Sequence, residues 1–145
     1  MPLTDIVTDS DYQSLAQFRY QIRRFLHFSE QAARSAGLEP HQHQLLLAIR
    51  GLPQTGGNAS IRVLAERLQI QHHSAVELVD RLVDRGLVSR SRAPDDRRQV
   101  LIHLTDRGEA ELDKLAKAHL DELRTNGPAL VEALEALIRR TNGSQ

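Results

Sequence analysis

Apolar side chains recur along this chain first at helical and then at strand spacing, in an order that sketches a fold. From Asp11 to Ala36, the positions Leu15, Phe18, Ile22, Phe25, Ala32, Ala33 and Ala36 predict a long amphipathic helix with Gly37 as its stop. Pro40 suits the first turn of a second helix, which should run through Leu45, Leu46 and Ile49 to about Leu52. Pro53 to Asn58 reads as a loop by composition. Ser60 can cap a short helix carrying Ile61, Leu64, Ala65 and Leu68. The turn Gln69-Ile70-Gln71 then leads into a helix with Val76, Val79, Leu82 and Val83 on one side and Gly86 as its stop. Two helices joined by so short a turn must cross steeply, as in a helix-turn-helix.

The period then changes. Leu87 to Arg92 and Val100 to Leu104 flank the turn Ala93-Pro94-Asp95-Asp96, which predicts a β-hairpin. Thr105 or Asp106 can cap a further helix bearing Ala110, Leu115, Leu120 and Leu123. Gly127-Pro128 predicts a break, and a last helix carries Leu130, Val131, Leu134, Leu137 and Ile138 before the polar tail Thr141 to Gln145. Residues before about Ser10 show no periodicity. The expectation is a mainly α (α+β) chain forming one domain over 1–145. Long helices at about 10–36 and 105–141 flank a helix–helix–hairpin, that is a winged helix-turn-helix, at about 40–104.

Composition narrows the chemistry. A chain of 145 residues that is 40% hydrophobic can fill a core, here chiefly of Leu, Ile, Val and Ala, because Trp is absent and aromatics make up 3%. With no Cys, disulfides, Cys-ligated zinc, thiol redox sensing and cysteine nucleophiles are excluded. The run Leu45 to Ile49 is far short of the roughly 20 residues a membrane-spanning helix needs. Met1 to Asp5 shows no basic region ahead of an apolar stretch. A soluble, cytoplasmic protein is expected. Net charge is +0, yet Lys114 and Lys117 are the only lysines among 19 basic residues, so nearly all are arginines. Arg forks onto phosphates and guanine edges, so placement matters more than the sum.

That placement favours the helix–hairpin unit. The second of its two helices opens with Gln71, His72, His73 and Ser74, all able to hydrogen-bond. Arg81 and Arg85 follow on the same helix, Arg90 and Arg92 on the first strand, and Arg97 and Arg98 beyond the turn. In an extended chain, residues two apart share a side, so Asp96 can orient the Arg98 guanidinium. An oriented Arg at a wing tip suits a narrow, electronegative minor groove; the plainer reading is a solvated turn with a weak surface ion pair.

Several segments together are similar to one known family. Leu64-Ala65-Glu66-Arg67-Leu68, Leu78-Val79-Asp80-Arg81-Leu82, Arg85-Gly86-Leu87-Val88, Asp96-Arg97-Arg98 and Leu104-Thr105-Asp106-Arg107-Gly108 resemble the MarR family of winged-helix transcription factors, most strongly from about His43 to Leu112. The resemblance implies a homodimer, joined by its first and last helices, on double-stranded DNA with a pseudo-palindromic operator. It also implies repression relieved by a small aromatic or phenolic effector, with no cofactor. It places His72, His73 and Ser74 in the base-reading turn, Arg97 and Arg98 at the wing tip, and Asp96 where it steadies the wing. Candidate DNA contacts are thus Ser60, His72, His73, Ser74, Arg81, Arg92, Arg97 and Arg98. The family's effector pocket would draw on Phe18, Ile22, Phe25, His43 and Leu47, each of which reads more readily as plain core. Gln71 and His72 stand where the family has Ser or Thr and then Pro or Lys, and Glu77 stands where a basic residue is common.

Other classes fare worse. The seven histidines invite a metal-responsive regulator. However, His41 and His43 lie about 200° apart around a helix, His72 and His73 about 100°, and His27, His103 and His119 are on separate elements, so no metal site is expected. No phosphate-cradling Gly loop and no Gly-x-Ser-x-Gly elbow occurs, and His73 and Ser74 point apart, so no enzyme is expected. A winged-helix interaction module that has lost specific DNA binding is the remaining alternative, favoured by Glu77 and the zero net charge.

Overall fold

A computed structural model describes residues 6–53, 59–93 and 96–141, with backbone alone at 96, 97 and 141. The chain runs α1 (Asp9–Ser35), α2 (Pro40–Arg50), α3 (Ile61–Leu68), α4 (His72–Asp84), β1 (Val88–Ala93), β2 (Asp96–Leu104) and α5 (Asp106–Thr141). This is the expected winged-helix order. The expected loop at 54–58, the tip Pro94-Asp95, the first five residues and the tail from 142 lie outside the described residues. The chain divides into two compact units, one of Ala33–Ala116 and one of Met1–Ala32 with Lys117–Gln145.

The Ala33–Ala116 unit holds nearly all of the core. Leu45 and Leu46 from α2, Leu64 from α3, Val79 and Leu82 from α4, Leu87 and Ile102 are fully buried. Helices α2 and α3 start where the sequence supplies a cap. Pro40 opens α2, while the Glu39 N–H donates to Gln42 Oε1 at 3.0 Å. Ser60 Oγ accepts from the Val63 N–H at 3.2 Å to start α3. Gln69, with φ of 55°, turns the chain out of α3 in the left-handed conformation, which a non-glycine residue adopts at a cost of about 1–2 kcal/mol. Gly86, with φ of 74°, ends α4 in the same region without that penalty.

The hairpin is antiparallel, pairing Val88 with Leu104, Arg90 with Ile102 and Arg92 with Val100, with an irregularity between Arg92 and Ala93. The chain just before α3 adds to it. Ile102 N–H donates to Ala59 O at 2.8 Å, and Ser60 bridges Leu101. Just beyond this same end of the hairpin, Thr105 N–H donates to Leu87 O (3.1 Å) and Thr105 Oγ1 donates to Gly86 O (2.7 Å) while accepting from Gly108 N–H (3.0 Å). One threonine thereby caps α5 and ties it to the end of α4.

The other unit is built from the first part of α1 and the second part of α5. His119 Nε2 lies 2.8 Å from Ser29 Oγ, with the edges of Phe25 and Phe28 packed against its ring. Thr8 and Asp11 cap α1 reciprocally. Arg140 donates from Nε to Asp11 Oδ1 at 2.9 Å and from Nη2 to Ile6 O at 2.7 Å. The bond from Arg140, followed by the Thr8 N–H, holds the Asp11 carboxyl below its ordinary value of 3.8. A depressed carboxylate stabilises the fold fully above that ordinary value and loses its contribution as pH falls below it. Asp11→Asn should therefore melt at a lower temperature than wild type at pH 7, with the gap closing in acid. A gap that stays constant to pH 2 would disprove this.

One expectation fails here. The break at Gly127-Pro128 is absent, and α5 passes through Pro128 as a single helix. Proline removes one hydrogen bond to the carbonyl four residues back, that of Arg124, and crowds it at a cost of about 3 kcal/mol. Gly127 keeps a negative φ and so does not act as a stop. Long bonded runs of Glu, Leu and Ala on both sides outweigh one interrupted rung.

Candidate nucleic-acid interface

Helix α4 owes its placement to Ala75, Val79 and Leu82, which are buried and leave the opposite face outward. His72 and His73 are exposed at its first turn, and Ser74 is half-buried. Gln71 occupies the N-cap without a side-chain cap bond, so the first-turn amides remain open to an outside acceptor, such as phosphate. Further along that face come Val76, Glu77, Asp80, Arg81 and Asp84, all exposed.

The arginines separate into distinct roles. Arg81 is exposed on α4. Arg85 instead turns to the start of α2, donating from Nη1 to Gly37 O at 2.7 Å and to Gln42 Oε1 at 3.2 Å. Arg90 on β1 is bonded to Asp80 on α4, an ion pair that ties the first wing strand to the helix. Arg92 and Arg98 are exposed on the two wing strands. The side chains of Asp96 and Arg97 lie outside the described residues, and with them the expected Asp96–Arg98 contact. Ser91 Oγ and His103 Nε2, 2.6 Å apart, link the strands on the exposed side.

Ser60 departs from the set. It is 4% exposed and its hydroxyl is committed to the Val63 N–H, so it serves as a helix cap and is not presented beside the histidines. The Asp80–Arg90 pair and the inward role of Arg85 were not legible in the chain, because each joins residues on different elements. Only the packing of α4 against β1 and α2 brings them together.

The pocket candidates fall into different units. Phe18, Ile22 and Phe25 are half-buried in one. In the other, His43 is 2% exposed with its Nδ1 3.4 Å from Gln44 Nε2, while Leu47 is exposed and lines an open hollow of about 490 Å³ with Arg50, Glu109, Leu112 and Asp113. Arg50 Nε and Glu109 Oε1 pair there at 3.2 Å. Among the described residues there is no cluster of three or more His, Asp or Glu that could hold a metal, and no helix is long and apolar enough to cross a membrane.

Comparison with known proteins agrees with this geometry. Residues 36–99 match the MarR family. The chain is 30% identical over 105 residues to an uncharacterized HTH-type transcriptional regulator, YkoM, of Bacillus subtilis, covering 70% of this chain and 66% of that one. Across two curated relatives the chain spans 58% and 66% of their length. Among solved structures, a cysteine-to-serine mutant of MarR from E. coli complexed with operator DNA superposes with a TM-score of 0.64 at 23% identity, over 84% of this chain and 88% of that chain. CouR from Rhodococcus jostii, bound to p-coumaroyl-CoA, gives 0.58 at 29% identity over 68% and 66%.

Proposed function

Because this chain belongs to the MarR family, we propose that it is a transcriptional regulator, not an enzyme, acting in the cytoplasm as a repressor on double-stranded operator DNA. The observation that carries the reading is the outward face of α4, which opens on His72 and His73 beside a wing bearing Arg92 and Arg98. A helix of that width fits the major groove and places its leading turn against base edges, while the hairpin reaches an adjacent groove.

A homodimer on a pseudo-palindromic operator is part of the same reading. In the unit formed by α1 and α5, Tyr12, Leu15, Leu120, Val131, Leu134 and Ile138 are exposed, and among its described residues Ala133 is the one buried apolar side chain. Apolar area on this scale calls for a second copy to cover it. Release by a small aromatic or phenolic ligand is supported by the p-coumaroyl-CoA bound to CouR.

The direct test is binding to fluorescent fragments of the gene's own upstream DNA at two salt concentrations with unrelated competitor. Salt-sensitive binding that resists competitor is expected; weak, fully competed binding would leave an interaction module as the better description. Two variants refine it. Arg98→Ala should weaken binding to every sequence and reduce the slope of log K against log salt by about one unit, the signature of one lost phosphate contact. An unchanged slope would remove Arg98 from the interface. His73→Ala should alter discrimination between operator variants by roughly 1–3 kcal/mol, whereas a uniform loss would leave it a positioning role.

A further inference from the structure

We propose that Glu77 is a base-reading residue that selects cytosine, an inference that rests on the DNA-binding reading above. Glu77 stands four residues beyond His73 and four before Arg81, so the three share one exposed row of α4. It lies in the N-terminal half of the helix, the part that meets base edges when a recognition helix docks. Its carboxylate has no hydrogen bond or ion pair with any described residue. Asp80, one turn on, is by contrast already held by Arg90. Asp84 lies at the far end of α4.

An ionised carboxylate is acceptor only. In the major groove, guanine offers two acceptors, thymine an acceptor and a methyl group, and adenine a donor beside an acceptor. Cytosine alone offers an amino donor with no acceptor on the same base. Repulsion between Glu77 and the phosphates falls on every sequence alike, whereas the bond to a cytosine amino group forms on one. A carboxylate here therefore lowers general affinity and raises the ratio between right and wrong sites, discrimination built partly from repulsion. Four residues of helix rise span about 6 Å, and base pairs stack every 3.4 Å. The cytosine should accordingly lie about two base pairs from the position sensed by His73.

Selection from a randomised duplex library, using wild type, Glu77→Gln and Glu77→Ala, tests this. Titrations then follow on the selected site with each of the four base pairs at the implicated position. Wild type should prefer C·G there by about tenfold or more. Glu77→Gln, which gains a donor and can pair with adenine N6 and N7, should shift the preference to A·T. Glu77→Ala should accept all four pairs with the rest of the site unchanged. Melting temperatures check that both variants fold, and the wild-type titrations need no variant at all. If wild type selects a site but both variants keep its profile, Glu77 is a solvated surface carboxylate and the inference is overturned while the regulator reading stands. If wild type selects no sequence, the regulator reading falls and this inference falls with it.

Discussion

Leu82→Ala should destabilise the winged unit by about 2–5 kcal/mol, the range for emptying a fully buried leucine site. Leu82 is 0% exposed and sits on the inner face of α4, in a core shared with Leu64, Val79 and Ile102. Helix α4 packs against α2, α3 and β1, so collapse around the missing methyl groups would require several elements to move together. Val76→Ala is the matched control: Val76 is on the same helix but 36% exposed, and should cost no more than about 0.5 kcal/mol. Chemical denaturation at equal protein concentration would compare them, since an assembling chain gains stability by mass action. Equal midpoints for the two variants would mean that α4 is not anchored through Leu82. Because α4 carries His72 and His73, the Leu82 variant should also bind DNA less tightly, without any change in which sequences it prefers.

Gly108→Ala should also lose stability, although propensity argues the other way. Alanine is favoured over glycine inside a helix by about 1 kcal/mol. At this position, however, an added Cβ would lie 2.1 Å from Leu87 O and 3.1 Å from Leu87 C. Leu87 cannot readily yield. Its N–H donates to Leu82 O at 3.0 Å, its carbonyl receives the Thr105 N–H at 3.1 Å, and its side chain is buried. Forcing extra atoms into such a site typically costs about 1–3 kcal/mol and occasionally more, so the clash should win. For a chain of this length, each kcal/mol corresponds to roughly 2–4 °C in melting temperature. A melting temperature at or above wild type would show that the first turn of α5 shifts freely.

The helices and the hairpin were legible because their apolar periods are clean and their caps are spelled out. Pro40, Ser60 and Thr105 each sit within a residue of the boundary they imply, and Gly86 within two. Gln69 gave no such signal, since the left-handed turn it makes is ordinarily written with glycine or asparagine. Gly127-Pro128 misled for the opposite reason. Its local chemistry favours a break, but the long helix on either side decides the outcome. In the candidate interface, the polar turn at His72 and His73 could be read from spacing alone. The division of the arginines could not. Arg85 and Arg90 look equivalent to Arg81 along the chain, and only the crossing of α4 with α2 and β1 commits them to protein partners. The burial of Ser60 was likewise unreadable, because it goes with the bridge that the chain ahead of α3 makes to Leu101 on β2.

The bond from Ile102 N–H to Ala59 O has a mechanical side. It lies at the base of the wing, between β2 and the residue just ahead of the Ser60 cap, while Thr105, directly after the same end of the strand, clamps it to the close of α4. The hairpin is thus gripped at its root from both helices of the pair. A load applied to either helix is delivered to β2 directly, so the wing behaves as a cantilever whose aim is set by its mounting.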